Sequence, residues 1–305
     1  MSSRPPEDPP PAGRSRHRRP DRHAYRGSQA GHRSPAARRA AARRRGLARL
    51  AVLAAAVLLI VILVVAFAGG GGKKGGTAKG GQTPTPGTTH SATPTADVLF
   101  TPTASKPLRL KNYGDSMGGE LGMALAPQVQ ALPVIKYWTY YKVSSSLVKP
   151  SFFDWPKYLK GDLPHRHLHA VIFMVGTNDG QGIQLSSGAV KFDTPAWRAE
   201  YARRVGAVLK LFEQAGVRRV YWIGMPIMRS SAFSHVMSVI NDVAKAEVGR
   251  HKIARFVDTW KLFSTSAGAF DPSWRQSDGI HFNIAGQSRL ATAVLAAIKA
   301  GWHIK

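Results

Sequence analysis

The chain has 305 residues and a formal net charge of +26 at pH 7, from 43 Lys and Arg against 17 Asp and Glu, and it contains no cysteine. Disulfides, thiol catalysis and cysteine metal sites are excluded, and so is a neutral globule of uniform composition. The basic excess raises nucleic acid as a partner, but it is uneven: residues 1–49 hold 14 arginines against three acidic residues, leaving +15 on the rest.

Residues 1–49 lack apolar periodicity and are rich in Pro, Ala, Ser and Gly, the composition of a disordered basic tail. Residues 50–68 (LAVLAAAVLLIVILVVAFA) follow, 19 positions without a charge or a proline. At about 1.5 Å per residue they span roughly 29 Å, close to a bilayer hydrocarbon core. A transmembrane signal anchor is therefore expected, with the arginine side cytoplasmic and the C-terminal portion outside the membrane. Ala66-Phe67-Ala68 resembles a signal-peptide cleavage site, which is the competing reading; the length of the apolar run and of the basic leader favours the anchor. The arginine tail is accounted for by topology and contact with anionic lipid, and no DNA- or RNA-binding motif accompanies it, so nucleic acid is not an expected partner. Residues 69–105 contain nine glycines, nine threonines and four prolines and read as a flexible linker. About 200 residues remain from 106 to 305, enough for one domain with a substantial core.

Within that domain, residues 108–113 predict a short strand, although Lys111 and Asn112 interrupt its apolar character, and 117–125 a helix. Residues 169–175 (HAVIFMV) form a near-continuous apolar run, as buried parallel strands do. Trp197, Tyr201, Val205, Val208, Leu209 and Phe212 recur at helical spacing over 197–215 and stop at Gly216. A strand at 219–223, a helix over 233–248, a strand at 253–257 and a closing amphipathic helix over 284–298 complete the pattern. Strands alternating with helices imply a parallel sheet covered on both faces. In such sheets ligands bind beyond the carboxyl ends of the strands, and the polar motifs fall there: Ser116 after the first strand, Asn178 after the HAVIFMV strand, Arg229 after the 219–223 strand.

Gly114-Asp115-Ser116 places a serine on a tight turn after a strand, and Asp278-Gly279-Ile280-His281 supplies a carboxylate and an imidazole three residues apart. Serine needs a base to become a nucleophile, and a carboxylate can orient that base. With Gly176-Thr177-Asn178-Asp179 between them, these blocks resemble the SGNH/GDSL hydrolase family over roughly residues 108–300. The strings Phe153-Asp154-Trp155-Pro156, 224–229 (GMPIMR) and Val257-Asp258-Thr259-Trp260 resemble a narrower bacterial, membrane-anchored branch, domain of unknown function 459. The resemblance implies a flavodoxin-like three-layer α/β/α sandwich. It also implies hydrolysis of an ester or acyl transfer, with Ser116 as nucleophile, His281 as base and then acid, and Asp278 as its orienting carboxylate. The oxyanion donors it implies are the Ser116 N–H, the Asn178 side-chain amide and a third backbone N–H. Ser146 stands where the branch carries glycine for that third donor and loses glycine's freedom at positive φ.

Asp115 and Asp179 suit turn and supporting hydrogen bonds by their spacing. Arg229 is a candidate for an anionic substrate group and Trp155 for stacking on a sugar, each against a packing role. The His165–His169 alternation has no acidic companion, so no metal is expected, and no cofactor is implied. The expectation is a membrane-anchored, extracytoplasmic serine esterase acting on O-acyl groups, acetyl first, of cell-envelope glycans. Acyl transfer with the same triad, or a glycan-binding module that has lost turnover, are the alternatives.

Overall fold

The computed structural model describes residues 99–305. The basic tail, the apolar run at 50–68 and most of the expected linker lie outside the described residues. Among the described residues no helix is long and apolar enough to cross a membrane.

Five strands form one parallel sheet in the order β2-β1-β3-β6-β7, with β1 Leu108–Gly114, β2 Ile135–Tyr141, β3 Ala170–Met174, β6 Arg219–Ile223 and β7 Ala254–Val257. A small antiparallel hairpin, β4 Ile183–Leu185 with β5 Gly188–Val190, is set apart from it. The helices are α1 Ser116–Gln130, α2 Trp155–Asp162, α3 Pro195–Gln214, α4 Ser231–Val248 and α5 Ile284–Trp302. They divide into two layers: α1 packs on α5, while α3 packs on both α2 and α4. This is the flavodoxin-like arrangement, in which the chain leaves β1 toward β2 and then returns to β3 on the other side of β1. The crevice between the carboxyl ends of β1 and β3 is the topological switch point, where such folds bind ligands.

The interruption of β1 has a physical explanation. Alternate residues face opposite layers. Lys111 and Tyr113 face α2, where Lys111 Nζ and the Tyr113 hydroxyl both reach Asp162 Oδ2 at 2.6 and 2.7 Å. Burial pulls the Lys111 pKa down, although its bond to Asp162 opposes this. Asn112 faces the other layer and donates to Gly118 O and Thr139 Oγ1. Lys111 Nζ, the Asn112 amide N–H and the Tyr113 hydroxyl thus each find a partner, as burial demands, while Asn112 Oδ1 and Arg109 Nε are buried without one.

Strand β2 and helix α2 had no counterpart in the sequence pattern. β2 is an edge strand of sequence IKYWTYY that buries only its first residue fully, so it lacks the continuous apolar run that marks β3. The expected linker also ends sooner than residue 105. Leu99 is buried, and the Phe100 ring meets His169 and Trp302 edge-on at 4.8 and 5.3 Å. Two apolar side chains suffice to dock this segment on the domain.

Helix α1 leaves the sheet through a close backbone approach that only glycine permits. A Cβ on Gly114 would stand 2.4 Å from Gly118 Cα, and one on Gly118 would stand 2.6 Å from Met174 O. Those opposing atoms are backbone and cannot rotate away. Overpacking costs about 1–3 kcal/mol, and alanine's helix preference over glycine returns only about 1 kcal/mol. Gly118→Ala is therefore expected to be destabilising by up to about 2 kcal/mol in urea unfolding; a raised midpoint contradicts this packing account.

Candidate active site

Asp115 organises the turn that presents Ser116. Its Oδ1 accepts from the Met117 and Gly118 N–H groups at 3.0 and 3.3 Å, capping α1. Its Oδ2 accepts from Gly176 N and Thr177 N at 3.2 and 3.1 Å, tying the loop after β3 to the turn after β1. Asp115 is fully buried, and burial raises its pKa against the pull of those backbone donors. The four bonds leave the first residue of α1, Ser116, at the switch point.

Asp179 performs the corresponding task one loop further on. It accepts from Leu147 N, Val148 N and the Tyr201 hydroxyl at 2.7, 3.0 and 2.9 Å. Burial pushes its pKa up to about 7. Between these two anchors, Asn178 Nδ2 donates to Ser145 O at 3.0 Å. The turn at Ser116, the loop after β3 and the loop at 142–150 are thus bonded into one frame.

Into this frame the loop before α5 brings Asp278 and His281. The His281 Nε2–Ser116 Oγ distance is 3.0 Å, and His281 Nδ1–Asp278 Oδ2 is 2.7 Å. Asp278 Oδ1 accepts from Ile280 N and His281 N at 2.8 and 3.0 Å, which closes the loop on itself. Gly279 sits between them at φ +72, in the left-handed region that suits glycine. Burial alone would lower the His281 pKa, but the Asp278 hydrogen bond and the charges of Glu120 and Asp278 hold it above the ordinary value. Burial would likewise raise Asp278, yet the bonds from His281 and Ile280 N hold it below the usual carboxylate range. A hydroxyl, an imidazole and a carboxylate so arranged can move a proton from oxygen to nitrogen and stabilise the resulting cation.

Three sequence expectations change here. The positive φ of loop 142–150 lies at Ser144 (φ 61) and not at Ser146. Serine at 146 therefore costs no left-handed backbone strain, and that ground for doubting its N–H as a donor is removed. The Ser146 hydroxyl accepts from Lys149 N at 3.1 Å, while the flanking Ser145 and Leu147 N–H groups are taken by Lys142 O and Asp179. Trp155 is fully buried against Tyr113, Tyr140 and Phe173, with its Nε1 on Ser145 Oγ at 3.1 Å. It offers no face to a sugar and instead packs behind the loop at 142–150. Arg229 is committed to the loop before α5: its N–H donates to Gly279 O and its Nη1 to Ser277 O at 2.7 Å. It buttresses the loop that carries Asp278, and its exposed guanidinium uses only Nη1 for that bond.

His169 Nδ1 accepts from Arg109 N at 3.1 Å. Among the described residues no group of three or more His, Asp or Glu is placed to hold a metal ion. Two neighbours of the site escaped the motif reading, Glu120 and Arg275. Glu120 lies four residues after Ser116, the spacing that puts two side chains on one helix face, and that spacing was the available signal. Arg275 donates to Ile280 O and Ile227 O at 2.6 and 2.8 Å with its guanidinium 4.3 Å from the centre of the Phe282 ring; nothing local in the sequence marks it.

Comparison with solved structures finds similar folds at low identity. A GDSL-like lipase from Bacteroides thetaiotaomicron is 15% identical, with a TM-score of 0.48 over 66% of this chain and 92% of that one. An α/β hydrolase from the metagenome of Lake Arreo, Spain, is 17% identical with a TM-score of 0.48, covering 64% and 95%. A variant of an acetylxylan esterase from Geobacillus stearothermophilus is 17% identical with a TM-score of 0.46, covering 62% and 93%. No curated protein matches the chain. A family profile described as "Protein of unknown function (DUF459)" matches residues 109–297, well over half of the sequence, and includes every block quoted above. The chain belongs to the DUF459 family.

Proposed function

We propose that this protein is a membrane-anchored serine esterase that removes O-acyl groups, acetyl first among them, from glycans outside the membrane. The observation that carries the reading is the unbroken chain from Ser116 Oγ through the His281 ring to Asp278, at 3.0 and 2.7 Å. In the proposed reaction His281 Nε2 accepts the Ser116 proton as Oγ bonds to the acyl carbon, and the carbonyl electron pair moves onto oxygen. The Ser116 N–H, an orphan donor of the α1 N-terminus, the Ser146 N–H and the Asn178 amide stabilise that oxyanion. Each such donor is worth a few kcal/mol in the transition state. Collapse breaks the bond to the alcohol, which leaves with the proton from His281. Water then attacks the acyl-enzyme with His281 again as base, the acid departs, and the proton returns to Ser116.

The exterior placement rests on the apolar run at 50–68 and its arginine-rich leader, and the +15 charge of the remainder suits an anionic envelope polymer. The test is covalent labelling of the detergent-solubilised full chain with a fluorophosphonate. Labelling that disappears in Ser116→Ala supports the reading; a folded wild-type protein that takes no label overturns it. Incubation of unlabelled enzyme with an acetyl ester, with and without acceptor glycans, separates release of acetate from its transfer.

A further inference from the structure

We propose that Glu120 is a positioning residue of this site, holding the loop 276–282 so that His281 meets Ser116. The inference rests on the esterase reading for its kinetic test but not for its geometry. Glu120 and Ser116 share one face of α1, a turn apart, and the Glu120 carboxylate is almost fully buried at 8% exposure. Its Oε2 accepts from Phe282 N at 3.0 Å, the residue next to His281, and its Oε1 accepts from Gln276 Nε2 at 3.3 Å. Gln276 closes the ring: its Nε2 also donates to Phe282 O at 3.0 Å, and its N–H to His281 O at 2.8 Å. The two ends of the loop that carries Asp278 and His281 therefore converge on a single side chain from the helix that carries Ser116.

Two carboxylate oxygens are needed for this clasp, because both partners are donors. A glutamine at 120 keeps one acceptor and turns an NH2 toward either Phe282 N–H or the Gln276 amide. The buried carboxylate also acts on His281 by charge. The groups facing it are His281, Asp278 and Arg275 from the loop and Asp115 from the turn before α1. Burial pushes the Glu120 pKa up to about 7, with the Phe282 N–H and His281 opposing that rise. Its negative charge in turn helps to hold the His281 pKa up.

Two readouts test the assignment in the full chain, with the thermal midpoint as a control for folding. Losing one bond to a buried donor corresponds to roughly a tenfold loss of kcat/KM on an acetyl ester in Glu120→Gln. Removing the neighbouring charge should also move the acid limb of the pH–rate profile to lower pH by about half a unit or more. Gln276→Ala keeps the charge and breaks one arm, so it should lose a fewfold in rate with the acid limb in place. If Glu120→Gln fails to fold, this second variant decides: wild-type rates in Gln276→Ala overturn the clasp. The His281 ring titration, followed by NMR and identified by its absence in His281→Ala, reads the same charge effect without turnover. A wild-type protein with no esterase activity whose His281 titration still shifts in Glu120→Gln sinks the esterase reading and leaves this inference standing. An active enzyme in which Glu120→Gln changes neither rate, acid limb nor ring titration overturns the inference alone.

Discussion

Replacing His281 with alanine is expected to lower kcat on an acetyl ester by about 10⁴–10⁶-fold, the range seen when one member of a serine triad is removed. The geometry explains so large a loss. Among the described residues the Ser116 Oγ proton has His281 Nε2 as its acceptor, 3.0 Å away, and the ring is fixed by Asp278 at 2.7 Å. The members act as a unit, so adding Asp278→Ala to His281→Ala should cost little more, whereas Asp278→Ala alone should cost about 10⁴-fold. The sign of the pH dependence follows from the ring. His281 must be neutral to accept the proton, and its pKa lies above the usual value of about 6.5. Activity should therefore fall as pH drops through that raised value, giving an acid limb on the alkaline side of an unperturbed histidine. A loss below about tenfold in His281→Ala, measured by steady-state kinetics, removes His281 from the mechanism.

Replacing Asp115 with alanine should be the most damaging substitution for stability among the site residues. One carboxylate satisfies four buried N–H groups, at Met117, Gly118, Gly176 and Thr177. Each orphaned donor costs about 1–3 kcal/mol, and partial relaxation makes the sum less than additive. A loss of roughly 4–5 kcal/mol is expected, a large part of the 5–15 kcal/mol of an ordinary domain. For a domain of this size that corresponds to a fall in Tm of roughly 10 °C or more. Asp115→Asn should fall between wild type and alanine, since it relieves the cost of a buried charge but aims an NH2 at a donor pair. Calorimetry on the three proteins decides it; an Asp115→Ala Tm within about 2 °C of wild type rejects the four-bond account.

Strand β6 was legible at its bounds because the apolar run after Arg218 and Arg219 stops at Gly224 and Pro226, and β3 because it is apolar throughout. Strand β2 was not, since an edge strand needs only half an apolar face and its Tyr and Thr residues carry the signal weakly. The pairing of Ser116 with Asp278 and His281 was legible from residue type and spacing. The work of Trp155, Arg229 and Glu120 was not, because a buried indole, a loop-bound guanidinium and a two-armed carboxylate are defined by partners distant in the chain. Glu120 reaches Phe282 across 162 positions.

Local chemistry determined by itself which residues could form a serine, histidine and carboxylate set, which segments alternate as strand and helix, and which segment of the chain is apolar over 19 positions. Periodicity and side-chain type are properties of neighbours in sequence, so they can be read without a fold. Only the tertiary structure decided that the loop before α5 reaches the start of α1, that Asp115 and Asp179 hold the frame, and that the left-handed residue of the 142–150 loop is Ser144. Those facts depend on which buried donors must find which acceptors once the sheet has formed, and burial is a property of the whole domain.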